Sequence, residues 1–249
     1  MRILGLDTAT AVASAALFDD GQIRAEQISS NLQPSNQSSA ASARVNHTET
    51  VLPLVESVLK KSRLSFYEVS GIAFSIGPGS FTGLRIGLST VKGLAYGWDL
   101  PVVGVSTLMA NAARVSAFQG SICSLFDARK NELYAALFQR NAKGLTRLTE
   151  DFVAPAEAVI DRLRTLASPP PYLFIGDGTE ACKTLLLDAF GENIQLSGGD
   201  SFHSIAASVA RLSVDRFNRS EVEELGHCVP LYLSLSQGQS RAKKEVVTD

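Results

Sequence analysis

An α/β protein built from two copies of one βββαβα unit is what the sequence predicts, and three recurrences carry the prediction. The order strand, strand, strand, helix, strand, helix reads twice along the 249 residues. An acid closes the first strand of each half, Asp7 after Ile3-Leu4-Gly5-Leu6 and Asp127 after the apolar run from Ser121. A glycine loop follows the fourth strand each time, Gly77-Pro78-Gly79 and then Gly176-Asp177-Gly178. Recurrence of this kind marks a duplicated supersecondary unit. The expected division is 1–110 for the first subdomain, 111–236 for the second, and a polar, mobile tail over 237–249.

In the first half, Arg2 to Asp7 is nearly all apolar, as suits a central strand covered on both faces. Ala11 to Phe18 is the second strand. Asp19-Asp20-Gly21 then supplies a hairpin turn, because Asp and Gly tolerate positive φ, and Gln22 to Ser29 is the third. Ser30 to Ala43, rich in Ser, Asn, Gln and Ala, reads as a flexible insertion. From His47, Val51, Leu52, Val55, Val58 and Leu59 make one apolar face of an amphipathic helix, with Glu49, Glu56, Lys60 and Lys61 opposite. Pro53 kinks that helix or marks its first well-formed turn. Ser65-x-x-Glu68 has the spacing of a capping box before the strand Gly71 to Ile76.

The stretch Gly77-Pro78-Gly79-Ser80-Phe81-Thr82-Gly83-Leu84-Arg85-Ile86-Gly87 is the organising one: a sharp turn running straight into a helix that ends near Trp98. At about 100° per residue, Leu84, Leu88, Val91 and Ala95 share a core-facing side. Gly83, Gly87, Thr90 and Gly97 line a second side, with Gly93 near its edge, although each interior glycine costs about 1 kcal/mol of helix stability. Close approach of another backbone explains such a row, from a partner or from the chain's own interior. The loop is a poor phosphate cradle, matching neither G-x-x-x-x-G-K-S/T nor G-x-G-x-x-G. Pro101 to Val105 is the next strand, and Ser106 caps a helix to Val115.

The second half repeats this order. Ser121 to Asp127, Glu132 to Gln139 and Leu145 to Val153 are strands; Pro155 starts a helix to Ala167; Tyr172 to Ile175 is a strand and Thr179 to Phe190 a helix. Ser204 to Asp215 reads as a late helix, and Pro230 to Leu233 as an extended piece returning to the sheet.

Composition removes several function classes. A net charge of −2 gives no electrostatic footprint for nucleic acid or anionic membrane. The three cysteines, Cys123, Cys182 and Cys228, lack a CxxC pair, which argues against a disulfide framework or a cysteine metal site and suits a reducing cytoplasm. Met1 to Phe18 has the look of a signal peptide, but Asp7 interrupts it, and no apolar run approaches the ~18 residues of a membrane span.

A duplicated unit with an acid closing each first strand resembles the ribonuclease H-like, actin-like ATPase superfamily that includes sugar kinases and chaperone ATPases. Within it, Ile3 to Thr10, the segment His47-Thr48-Glu49 to Leu52-Pro53-Leu54, Gly77 to Gly87, Pro101 to Ser106 and Asp127-Ala128-Arg129-Lys130-Asn131-Glu132-Leu133-Tyr134 are similar to the TsaB family, also called YeaZ. The resemblance spans nearly the whole chain and is strongest to about residue 140. It implies a non-catalytic subunit of the bacterial machinery that attaches threonylcarbamoyl to N6 of a tRNA adenosine beside the anticodon. The implied partners are a TsaD-like catalytic subunit, a TsaE-like ATPase, tRNA through the complex, and a second copy when the chain is alone. It implies no cofactor of its own, with ATP and a metal ion in the partner subunits. In the family the two N-terminal helices form the docking bundle, which makes Leu52, Val55, Leu59, Gly83, Gly87 and Thr90 the expected contact positions. On that reading Gly87→Leu abolishes pairing and leaves the fold intact.

The chain departs from the family in places. His47 has Val51 where the TsaD metal pair has its second histidine, and His203 and His227 are isolated. Ser234 follows Leu233 where the family commonly has arginine, and the Ser30 to Ala43 stretch is long. Two rival functions follow from the residues. In an independent ATPase or small-molecule kinase, Asp7, Thr8 and Asp127 surround metal and phosphate; the same acids serve equally well as caps for neighbouring backbone. In a peptidase, Ser80 or Thr82 is the nucleophile and His47 the base, although their spacing supports no triad.

Overall fold

The computed structural model describes residues 1–29, 47–166, 170–197 and 204–233, so the Ser30 to Ala43 stretch, His203, Ser234 and the 237–249 tail lie outside the described residues. The chain forms two compact units, one drawn from Met1–Arg114 and Phe202–Leu231, the other from Val115–Ser201 and Tyr232–Asp249.

The first unit is a five-stranded sheet in the order β3-β2-β1-β4-β5, comprising β1 (Arg2–Asp7), β2 (Ser14–Asp19), β3 (Gln22–Ile28), β4 (Gly71–Gly77) and β5 (Val102–Ser106). β1 runs antiparallel to β2 and parallel to β4. Its position at the centre explains its unbroken apolar run, since alternate side chains must be buried on both faces. Leu4, Leu6, Ile72 and Phe74 meet α1 (His47–Ser62) and α2 (Phe81–Trp98) on one face, while Ile3, Ala73, Val103 and Val105 meet α3 (Thr107–Ala113) and α7 (Ala206–Asn218) on the other. α1 continues through Pro53.

Local signals in the first unit are realised closely. Asp20 and Gly21 both have positive φ, 44° and 88°, in the β2–β3 hairpin. Glu68 accepts hydrogen bonds from the Ser65 amide and hydroxyl, closing the capping box. Ser106 Oγ accepts the Met109 amide as the cap of α3.

The expected 111–236 subdomain needs correcting, because the late helix packs on β1, β2 and β4 and therefore belongs to the first unit. Gly5 makes this possible: a Cβ there would collide with the Ala206 carbonyl and lie 2.9 Å from the Ala210 Cβ. The segment after α7 then covers the edge strand. The Val102 carbonyl accepts the Glu223 amide at 2.8 Å and the Gly104 carbonyl accepts Arg216 at 2.9 Å, while Arg216 and Glu223 pair at 3.0 Å. Pro230 to Leu233 forms no strand; its Leu231 amide donates to the Ile76 carbonyl at 2.7 Å.

The second unit holds β6 (Gly120–Arg129), β7 (Glu132–Asn141), β8 (Gly144–Arg147), β9 (Phe152–Pro155), α4 (Ala156–Thr165), β10 (Tyr172–Ile175), α5 (Gly178–Ala181), α6 (Lys183–Phe190) and β11 (Ile194–Ser197). Its sheet runs β11-β10-β6-β7-β8, which repeats the first sheet's order with β6 in the place of β1. This doubled arrangement is the actin-like fold. The expected third strand, Leu145 to Val153, is broken into β8 and β9, both paired with β7. At the break the Thr149 hydroxyl accepts the Leu137 amide at 2.9 Å in place of a ladder partner. The single helix expected over Thr179 to Phe190 divides at Cys182 into α5 and α6, and β11 was not foreseen.

Gly5→Ala tests the assignment of α7. Forced displacement of α7 from β1 is expected to lower stability by about 1–3 kcal/mol, read from the urea midpoint; an unchanged midpoint would contradict the packing.

The β1–β2 turn, the helix that packs on it and the two acids

β1 ends in Asp7, whose two carboxylate oxygens build the turn that follows. Oδ1 accepts the Ala9 amide at 3.0 Å and Oδ2 accepts the Thr10 hydroxyl at 2.7 Å. The turn in turn contacts the first half of α2. The Thr8 hydroxyl donates to the Gly83 carbonyl at 2.8 Å, and the Ala9 carbonyl accepts the Ser80 amide at 2.8 Å. Ser80 also caps α2, its Oγ accepting the Gly83 amide at 3.2 Å.

The glycines of the loop are explained one after another by these neighbours. A side chain at Gly79 would strike the Ala9 carbonyl, at Gly83 the Thr8 carbonyl, and at Gly87 the Thr8 hydroxyl; at Gly77, where φ is 122°, it would meet the Leu231 carbonyl at 2.6 Å. The expected contact surface is therefore corrected. Gly83 and Gly87 are buried against this chain's own turn, and Gly87→Leu would disturb the fold. Val55 and Leu59, 3% and 9% exposed, belong to the core under α1. Thr90 is half-buried, with its hydroxyl on the Ile86 carbonyl at 2.9 Å. Only Leu52 stands well out, 49% exposed.

Further along α2 the small residues have no such neighbour. Gly93 and Gly97 are exposed and have nothing within 4 Å of an added Cβ. Tyr96 between them is 86% exposed, and Ser89 lies a turn before Gly93 on the same side. α1 and α2 lie side by side over the same face of the sheet, with Leu52, Pro53 and Glu56 of α1 exposed as well. The sequence did show Gly93 and Gly97 in the small stripe; it could not show which glycines the chain itself fills.

In the second unit Asp127 builds a turn as Asp7 does. Its Oδ1 accepts the Arg129 amide at 2.8 Å and its Oδ2 pairs with the Arg129 guanidinium at 3.1 Å, while its own amide donates to Asp177 Oδ1 at 3.0 Å. Arg129, Lys130 and Asn131 all take positive φ at the tip this supports. The structure thus gives Asp7, Thr8 and Asp127 local partners of their own, and among the described residues no three metal-ligating side chains cluster.

Asp177, which the sequence offered only as part of a glycine loop, is perturbed by its surroundings. Burial pushes its carboxyl above the ordinary 3.8; the hydrogen bond from the Asp127 amide opposes this, and the Asp127 charge adds to it. The folded state then binds more protons than the unfolded state, so this group's contribution to stability falls as pH rises from 3.8 through the raised value. Asp177→Asn keeps the oxygen acceptor and should abolish that fall, measured as urea midpoints from below 3.8 to neutral pH. Asp177→Ala should instead cost about 0.5–1.5 kcal/mol by removing the bond from the Asp127 amide.

Comparison with known proteins agrees with this architecture. The family model described as TsaD, tRNA N6-adenosine threonylcarbamoyltransferase, matches residues 39–242. The tRNA threonylcarbamoyladenosine biosynthesis protein TsaB of Escherichia coli K12 is 32% identical over 236 residues, covering 94% of each chain. The Bacillus subtilis 168 protein of the same name is 27% identical over 241 residues, covering 97% of each. The solved structure of YeaZ from Pseudomonas aeruginosa superimposes with a TM-score of 0.73 at 25% identity, covering 93% of this chain and 99% of that one. The chain therefore belongs to the TsaB (YeaZ) family, within the wider family that the TsaD model describes.

Proposed function

We propose that this chain is a non-catalytic subunit of a tRNA N6-threonylcarbamoyladenosine transferase, and that it activates a TsaD-like catalytic subunit by docking the outward face of α1 and α2 on it. The observation that carries the docking reading is the exposed pair Gly93 and Gly97 in α2. Each interior glycine weakens the free helix by about 1 kcal/mol relative to alanine, and close approach by another helix is the physical gain that offsets it. Leu52 and Tyr96 supply exposed apolar and aromatic surface on the same pair of helices. The names of the relatives supply the pathway. A TsaE-like ATPase and tRNA enter through the assembled complex, and a second copy of this chain takes the same face when the catalytic subunit is absent.

The chemistry is placed in the partner subunits, with their ATP and metal ion. In support, the Asp7 and Asp127 carboxylates both hold turns of their own chain. The Ser80 hydroxyl, the nucleophile of the peptidase alternative, accepts the helix-capping bond from Gly83.

Threonylcarbamoyl transfer to unmodified tRNA, assayed with TsaD, TsaE, threonylcarbamoyl-adenylate and ATP, should show multiple turnover only when this chain is added. Equal turnover without it would overturn the role. Gly93→Ala should make the free chain more stable by roughly 0.5–1 kcal/mol while weakening its affinity for the catalytic subunit, and Leu52→Asp should weaken pairing without lowering the unfolding midpoint. Calorimetry of the chain alone with ATP and magnesium should give no binding heat; saturable binding would favour the independent ATPase.

A further inference from the structure

We infer that Thr8 is the positioning residue of the docking helix: its side chain sits in a notch between Gly83 and Gly87 and fixes the rotation and axial register of α2. This rests on the docking reading above, but the geometry is independent of it. Thr8 is 4% exposed and stands just beyond the end of β1, the central strand of its sheet. Its hydroxyl donates to the Gly83 carbonyl at 2.8 Å. The same hydroxyl fills the place of a Gly87 side chain, while the Thr8 carbonyl fills that of Gly83.

The Thr8 contact is directional, as is the Ala9–Ser80 bond at the start of the helix. Its apolar underside, Leu84, Leu88, Val91 and Ala95, makes contacts that change little when a helix turns or slides by a small amount. The loop joining it to β4 is tied at Ser80 to the Ala9 carbonyl, before the first turn of α2. A hydrogen bond within a notch one residue wide lacks the latitude of the apolar contacts. Rotation matters for docking because side chains stand at a radius of about 5 Å, so a turn of about 20° moves them by about 2 Å. Gly93, Tyr96 and Gly97 lie farther along the same helix and would move with it.

The inference predicts an asymmetric rescue. Gly87→Ala places a methyl where the Thr8 side-chain oxygen lies, so Thr8→Ala makes room for it. Gly83→Ala places one against the Thr8 main-chain carbonyl, which no change of side chain moves. Affinity for a purified TsaD-family catalytic subunit is measured for each variant, together with hydrogen exchange of the α2 amides in the free chain. Thr8→Ala should weaken affinity about three- to tenfold, and Thr8→Ser, which keeps the hydroxyl, should recover most of the loss. Gly87→Ala should weaken affinity and speed α2 exchange, the double variant with Thr8→Ala should return to the level of Thr8→Ala alone, and Gly83→Ala should gain nothing from it. Equal rescue of both glycine variants, or no change of exchange in any of them, would overturn the inference. Failure of the wild-type chain to bind the catalytic subunit would instead remove the docking reading, leaving the exchange pattern to decide the role of Thr8.

Discussion

Two backbones share one space where the β1–β2 turn meets the first two turns of α2, and glycine is what allows it. Gly79, Gly83 and Gly87 each stand where a side chain would strike Ala9 or Thr8. Closing this seam sets α2 on the sheet, and α2 then sets which of its residues are left outside. The long glycine motif is thus two things in sequence: an internal seam to Gly87, and an open stretch around Gly93 and Gly97. An anion-binding loop exposes its amides to a ligand; here the Ser80 amide is held by the Ala9 carbonyl.

The two units use one strand order with different fittings. Asp7 ends β1 and Asp127 stands two residues before the end of the equivalent β6, and each captures the amide two residues on, at 3.0 and 2.8 Å. From there the turns diverge. The first is packed under a long helix through Thr8, whereas the second is a hairpin tip of three left-handed residues, buttressed from behind by Asp177. An eighteen-residue helix follows β4 in the first unit, and only the four-residue α5 follows its counterpart β10 in the second. This asymmetry suits a protein in which one unit presents a helical face.

Features set by neighbours in sequence were legible before the structure. Asp20-Gly21 turned as Asp-Gly turns do, Ser65 and Glu68 closed their box, and Ser106 capped α3. The fold class was legible because a strand order repeated in one chain leaves its trace in apolar runs and acids. The candidate contact surface was not, since periodicity gives the faces of a helix but not what each face meets. Val55 and Leu59 share the apolar side of α1 with Leu52, yet the core takes the first two and leaves the third outside. Gly83 and Gly97 share a stripe, and only one has Thr8 against it. The membership of α7 was hidden for the same reason: an amphipathic helix does not name its sheet. Short β11 was hidden by its mixed composition, Ile-Gln-Leu-Ser.

The covering of β5 by residues that come after all the strands of the second unit has a consequence for synthesis. On the ribosome, β1, β4 and β5 emerge early, whereas Arg216, Glu223 and the helix that seals Ile3, Ala73 and Val103 follow only after the sheet of the second unit. At about 5–20 residues per second, that delay is roughly ten seconds. Through it the nascent sheet has one apolar face bare and one edge open, the state in which strands pair with the wrong neighbour. The sheet of the first unit is thus the first to be made and the last to be covered, and its covering is timed by the translation of the second unit's strands.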